Sequence, residues 1–209
     1  MQDDDPNVDA AYALKTPQDS RDLYARWASD YDTDFAVSQA YQLPDETIAA
    51  FVAAGGRGPV LDIGAGTGLC GTVLATAGVG PVDGIDISPQ MLEVARDKNV
   101  YRDLFEADLY AGVPLPDGGY GGVVSAGTFT NGHVGPEVIG GILRLAQPDA
   151  VFALAINAQH YDALGFGAAL AALEGQIRDL RLPEVRIYGP GATGDHKDDL
   201  ARIAVFRKA

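Results

Sequence analysis

The chain has 209 residues, 47 % of them apolar, with 15 basic against 29 acidic side chains and a formal net charge of −14. That apolar share excludes a disordered chain. No run reaches the ~20 apolar residues that span a bilayer, and the charge repels a phosphate backbone, so neither a membrane nor a nucleic-acid partner is expected. The single cysteine, Cys70, excludes an internal disulfide and a cysteine-built zinc site, and points to a reducing, cytoplasmic setting with no metal.

The first dozen residues read as a frayed acidic end rather than a signal peptide. A helix starts at Thr16-Pro17, with Thr16 as cap and Asp19 in the first turn. Leu23, Tyr24, Trp27 and Tyr31 follow at helical spacing on one face. A second helix runs from Pro44 to Gly55-Gly56. From Gly58 the rhythm changes, and strand-length apolar runs alternate with helical segments. PVLDI (59–63) precedes a helix from Leu69 to Ala77. VDGIDI (82–87) precedes a helix opening at Ser88-Pro89. YRDLFEAD (101–108) leads into a Pro/Gly-rich connection. GGVVSAG (121–127) leads to a loop and a helix from Pro136 to Ala146. AVFALAIN (150–157) is followed by a long helix from Tyr161 to Leu180. EVRIYG (184–189) and LARIAVFRK (200–208) close the chain. The polar run between them is too short for a crossover, so they pair as an antiparallel hairpin.

Five β-plus-helix units in series give an α/β fold with a parallel sheet and helices on both faces. Residues 1–56 form a tail and helical cap, and 57–209 the sheet-bearing core. In such a sheet the ligand lies outside the carboxyl ends of the strands, where strand order reverses. The first β-α turn, within VLDIGAGTGLCG (60–71), belongs there.

Two ligands compete for that turn, beside a purely structural reading in which it packs helix on strand. Gly66, Gly68 and Gly71 fit the dinucleotide pattern G-x-G-x-x-G, but leave Asp62 next to a pyrophosphate that it would repel. Asp62, Gly64, Gly66 and Gly68 fit acid-x-G-x-G-x-G, the turn that holds S-adenosylmethionine (SAM). An acid favours that ligand, which carries an ammonium and a sulfonium. Asp86 ends the second strand and suits the hydroxyls of a ribose. Ile87 and Met91 offer apolar walls to an adenine. Asp108 ends the third strand, where it suits the adenine amino group, with the Leu109 N–H facing a ring nitrogen.

YARWASDYDTD, VLDIGAGTGLCG, GIDISPQML and GTFTNGHVGPE together resemble class I SAM-dependent methyltransferases, and within them the Williams–Beuren syndrome region methyltransferase-like group. The resemblance covers nearly the whole chain. It implies a Rossmann-like, seven-stranded, mostly parallel sheet with a C-terminal antiparallel hairpin and an N-terminal helical cap. It implies SAM as cofactor and S-adenosylhomocysteine as product. Carried over by motif, Asp62, Gly64, Ala65 and Gly66 embrace the methionyl end, Asp86 the ribose, and Asp108 with Leu109 the adenine. Ser125 offers its carbonyl to the methionyl amino group. Tyr31 closes over the carboxylate, with Tyr24 and Trp27 nearby. The sequence departs from the pattern at Tyr120-Gly121, where an aromatic-Asp pair is usual. It departs again at Pro148-Asp149-Ala150, where Pro-Gly-Gly is usual and a different turn type is therefore expected. The subgroup tends to have His where Asn131 stands.

Methyl transfer asks the protein mainly to position and desolvate. A general base is needed only for a protonated nucleophile. His133, in the loop after the fourth strand, is the candidate base or substrate orienter. Thr128, Asn131 and His160 are candidate substrate contacts. His196, in the final turn, is expected to face solvent, and Cys70 to be a buried small apolar group. The expected activity is methyl transfer to an O or N atom of a small-molecule acceptor. The alternatives are a protein methyltransferase and a non-catalytic SAM- or S-adenosylhomocysteine-binding protein.

Overall fold

A computed structural model describes residues 8–14, 16–37, 39–130 and 133–209. Its sheet is built from β1 (Val60–Ile63), β2 (Val82–Asp86), β3 (Asp103–Glu106), β4 (Tyr120–Phe129), β5 (Ala146–Asn157), β6 (Ile177–Arg181), β7 (Glu184–Arg186) and β8 (Leu200–Lys208). The order is β3-β2-β1-β4-β5-β8-β6, with β7 also on β8. β1 to β5 run parallel, and β8 lies antiparallel beside β5. Strand order reverses at β1, between β2 and β4, which opens a crevice at their carboxyl ends.

The eighth strand is a correction to the seven expected. β6 and β7 lie end to end on the same edge of β8, pairing with residues 205–208 and 200–202 respectively. The break falls at Leu182-Pro183, where proline has no N–H for the ladder.

The expected helix from Tyr161 to Leu180 is also corrected. The segment forms α7 (Ala158–Ala163), α8 (Phe166–Ala171) and then β6. Gly165 and Gly175 take positive φ, +69° and +84°, and break the helix. β6 carries no buried stripe, so its sequence lacks the alternation that marks a strand.

The sheet is covered on both faces. Leu61, Ile63, Phe152 and Phe206 pack toward Ile139 and Phe166 on one side. Val60, Val205 and Ile203 pack toward Phe51 and Leu74 on the other. Adjacent β1 residues thus enter opposite cores, as the two-residue period of a strand requires. α3 (Leu43–Ala53) and α4 (Leu69–Thr76) belong to the second layer, and α6 (Ile139–Leu143) to the first. α5 (Pro89–Asp97) opens on Ser88, whose hydroxyl accepts from the Met91 N–H at 3.3 Å.

The cap begins with α1 (Val8–Tyr12), a helix within the first dozen residues that were expected to be frayed, and residues 1–7 lie outside those described. α2 (Pro17–Trp27) starts in a capping box: Asp19 N–H donates to Thr16 at 3.1 Å, and Thr16 N–H to Asp19 at 3.0 Å. Tyr31 does not continue the α2 face. It opens a separate π-helical turn, Tyr31–Val37. The cap is also stitched to the sheet: Tyr41 bridges Tyr188, and Gly189 N–H donates to Ala40 O at 2.7 Å.

Pro148-Asp149-Ala150 corrects another expectation. Asp149 takes φ +66° itself, the left-handed conformation a glycine would supply. Aspartate tolerates it better than most residues. No helix among the described residues is long and apolar enough to cross a membrane.

Candidate functional site

A cavity of about 410 Å³ opens at the carboxyl ends of β1 to β4, beneath the cap. The glycine turn forms its floor, and its glycines are required for different reasons. Gly64 has φ +68°, and a Cβ there would stand 1.9 Å from Thr128 Oγ1. A Cβ on Gly68 or Gly71 would strike the Tyr101 ring at 3.0 and 2.4 Å. Those glycines serve packing. Gly66 differs: it lines the cavity, has φ +53°, and nothing lies within 4 Å of where its Cβ would stand. Of the turn glycines Gly64, Gly66, Gly68 and Gly71, Gly66 alone has open space where a side chain would stand.

Asp86 sits at the cavity wall at the end of β2. Its carboxylate accepts from the Gly66 and Ser88 N–H groups, each at 2.8 Å. Burial raises its pKa, and these hydrogen bonds oppose the rise. Ile87, Met91, Asp108 and Leu109 line the same side, and Asp108 Oδ1 accepts from the Tyr110 N–H at 2.9 Å. Ala65, Tyr24, Tyr31, Thr128 and His133 complete the expected residues found in the lining. Thr128 Oγ1 is spent on Ile63 O at 2.9 Å. The Tyr24 hydroxyl meets His133 Nε2 at 2.8 Å.

Four expected residues lie outside this lining. Asp62 is fully buried behind the turn; Tyr101 OH donates to its Oδ2 at 2.7 Å, while Oδ1 has no partner. Burial pushes its carboxyl up to about 7. Ser125 is buried and donates to Ile63 O at 2.7 Å, and the residues after it, Ala126 and Gly127, line the cavity instead. Trp27 is 1 % exposed, packed with Leu23 and Met91 under the cap. His160 is buried, with Nε2 at 3.0 Å from Val134 O, and burial lowers its pKa. Asn131 lies outside the described residues. His196 is only partly exposed, with Nδ1 3.1 Å from Asp199 Oδ2. Cys70 is buried as expected, although it also touches the cavity.

Sequence reasoning missed three features. Asp32 accepts from Thr67 Oγ1 at 2.6 Å and from Lys98 Nζ at 2.5 Å, tying the π-helical turn to the glycine turn and to the end of α5. Tyr101 props the turn from below. A smaller aromatic recess of about 40 Å³ opens beside the cavity and shares Tyr24, Tyr31, Tyr41 and Gly127 with it. The only hint of the recess in the sequence is its many cap tyrosines, which helical spacing assigns equally well to a core.

The lining includes the acids Asp86 and Asp108 but no Lys or Arg among the described residues. With the orphaned Asp62 oxygen behind the turn and an open side at Gly66, this donor set fits a ligand with an ammonium and a sulfonium. It opposes a pyrophosphate.

Residues 60–149 match the family described as a methyltransferase domain. The chain is 32 % identical over 132 residues to human Methyltransferase-like protein 27, a match covering 61 % of this chain and 54 % of that protein. It is 44 % identical over 66 residues to the mouse 18S rRNA (guanine-N(7))-methyltransferase, covering 32 % of this chain and 23 % of that one. The chain thus spans about half the length of the human relative and under a quarter of the mouse enzyme. Its fold resembles magnesium protoporphyrin IX methyltransferase from Synechocystis, solved with SAM bound, at TM-score 0.65 and 20 % identity over 94 % of this chain and 99 % of that one. It also resembles the (4+2) cyclase SpnF, at TM-score 0.69 and 16 % identity over 93 % of this chain and 97 % of that one.

Proposed function

From the premise that this chain belongs to the class I SAM-dependent methyltransferases, we propose that it transfers the methyl group of SAM to an O or N atom of a small molecule. The carrying observation is the acid-lined cavity at the strand-order switch, free of Lys and Arg among its described residues. When bound, SAM supplies a methyl group activated by a positive sulfur.

The residues of the chain do the rest. Asp86 takes the ribose hydroxyls, with its orientation held by the Gly66 and Ser88 amides. Asp108 and Leu109 take the adenine edge, between Ile87 and Met91. Asp62 draws the methionyl ammonium toward the turn through its unpartnered oxygen. Tyr31 shuts the cap over the methionyl end. The cap excludes water and aligns the reacting groups, and such alignment is worth roughly 7–11 kcal/mol. His133 accepts the proton of the nucleophile through the Tyr24 hydroxyl, a contribution of about 10²–10⁴-fold.

A small acceptor is favoured over RNA, although one relative is named for rRNA, because the chain carries −14 and its cavity lining no cation. Labelled-methyl transfer into a fractionated lysate tests this. Label in the small-molecule fraction is expected. Label in protein or RNA contradicts the acceptor class, and no label despite SAM binding favours a non-catalytic binding protein.

A further inference from the structure

Building on that reading, we propose that the aromatic recess beside the cavity is the acceptor subsite, and that the acceptor is a small alkylated amine. The recess is walled by Tyr12, Tyr24, Tyr31, Phe35, Tyr41 and Tyr188, drawn from α1, α2, the π-helical turn and the bridged pair Tyr41–Tyr188, whose second member follows β7. These rings brace one another: Tyr31 stacks on Phe35 at 5.0 Å, and Phe35 meets Tyr41 at 5.8 Å and Tyr188 edge-on at 6.3 Å.

Several rings converging on one small space attract a cation through their negative faces. Burial raises the pKa of Tyr24, Tyr31, Tyr41 and Tyr188, so the phenols remain neutral and the attraction comes from the rings. No Lys or Arg is in the recess lining among the described residues, so nothing there holds a carboxylate or phosphate. Behind the wall stands a negative charge. Tyr12 OH donates to Asp199 Oδ2 at 3.1 Å and accepts from Asn157 Nδ2 at 3.0 Å. At about 40 Å³ the recess takes a head of a few heavy atoms, such as a nitrogen with its methyl groups, and leaves the remainder of the acceptor in the larger cavity.

Tyr24 lines both spaces, with its hydroxyl on His133 Nε2 at 2.8 Å. A neutral amine enters with its lone pair toward the cofactor. The lone pair forms the N–C bond, the C–S bond pair is left on sulfur, and the nitrogen becomes positive. Its N–H proton passes to the Tyr24 oxygen as the Tyr24 proton passes to His133 Nε2, leaving an imidazolium. The rings thus stabilise the charge that grows on nitrogen in the transition state.

Titration calorimetry on the full chain loaded with S-adenosylhomocysteine tests this with choline, its neutral isostere 3,3-dimethylbutan-1-ol, and acetate. Choline is expected to bind about tenfold tighter than the alcohol, with no saturable binding of acetate. Tyr188→Leu and, separately, Phe35→Leu are expected to abolish that preference while leaving S-adenosylhomocysteine affinity within about twofold. Equal binding of choline and the alcohol, preferred binding of acetate, or an undiminished preference in both folded variants overturns the proposal. Loss of S-adenosylhomocysteine binding with the choline preference intact counts against the cofactor reading alone.

Discussion

Asp62 and Tyr101 meet at 2.7 Å beneath the glycine turn, and the second oxygen of Asp62 is buried without a partner. The carboxyl is held at about 7 by burial, against a free value of 3.8. Between those two values the folded chain keeps a proton that the unfolded chain has lost, so this group lowers stability as pH rises toward neutrality. The full cost above pH 7 is on the order of 4 kcal/mol. Asp62→Asn is expected to leave thermal stability nearly unchanged near pH 4 and to raise it at pH 8. A stability gain independent of pH would remove burial of the charge as its cause.

A methionyl ammonium at Asp62 favours the ionised carboxylate. SAM affinity is therefore expected to rise between pH 6 and 8, with proton release that Asp62→Asn abolishes. Calorimetry in buffers of different ionisation enthalpy reads that proton directly. No buffer dependence in the unsubstituted chain would contradict the pairing.

Gly64 and Gly66 separate packing from binding. Gly64→Ala drives a methyl into Thr128 and is expected to destabilise the chain by several °C with no ligand present. Gly66→Ala carries only the milder cost of its positive φ, roughly 1 kcal/mol. It is expected to fold and to lose S-adenosylhomocysteine binding at least tenfold, because its methyl enters the cavity. Thermal melts with and without ligand check both. A Gly66→Ala chain that binds normally would show that the ligand does not approach this turn.

Asp32 bridges the cap to the glycine turn through Thr67 and to α5 through Lys98. Asp32→Ala cuts both contacts without substituting a cavity-lining residue, although Thr67, which lines the cavity, loses its partner. The expected result is faster proteolysis within Tyr31–Val37 and weaker S-adenosylhomocysteine binding, by about three- to tenfold. Unchanged cleavage would mean that the cap is held by its other contacts, such as the Tyr41–Tyr188 bridge.

Tyr24→Phe removes one oxygen and keeps the ring. It is expected to preserve S-adenosylhomocysteine affinity and to cut turnover by about 10²-fold or more. Equal loss of affinity and turnover would make Tyr24 a cofactor contact alone.

The parallel half of the sheet was legible because β1 and β2 are short apolar runs each followed by a helix, the second capped at Ser88-Pro89, although β3 runs to β4 with no helix between them. Asp86, Asp108 and the glycines lie at strand ends, where spacing alone brings them together. The edge strand β6 was not legible. Its residues face solvent, and only pairing with β8 makes them extended. Ser125 and His160 stand beside the site in sequence, but their side chains satisfy buried carbonyls of Ile63 and Val134 instead. Asp32 was read past because nothing local separates it from Asp30 and Asp34, its neighbours in the same acidic segment. Its partners Thr67 and Lys98 are 35 and 66 residues away, a distance no local pattern spans.

The most direct test of the central claim is the affinity of the full chain for S-adenosylhomocysteine and for NAD, by calorimetry, before and after Asp86→Ala, with thermal melts to show that the variant folds. The account predicts saturable binding of S-adenosylhomocysteine, weakened about 100-fold or more by the substitution, and no saturable binding of NAD. Tighter binding of NAD, or S-adenosylhomocysteine affinity unchanged in folded Asp86→Ala, would contradict it.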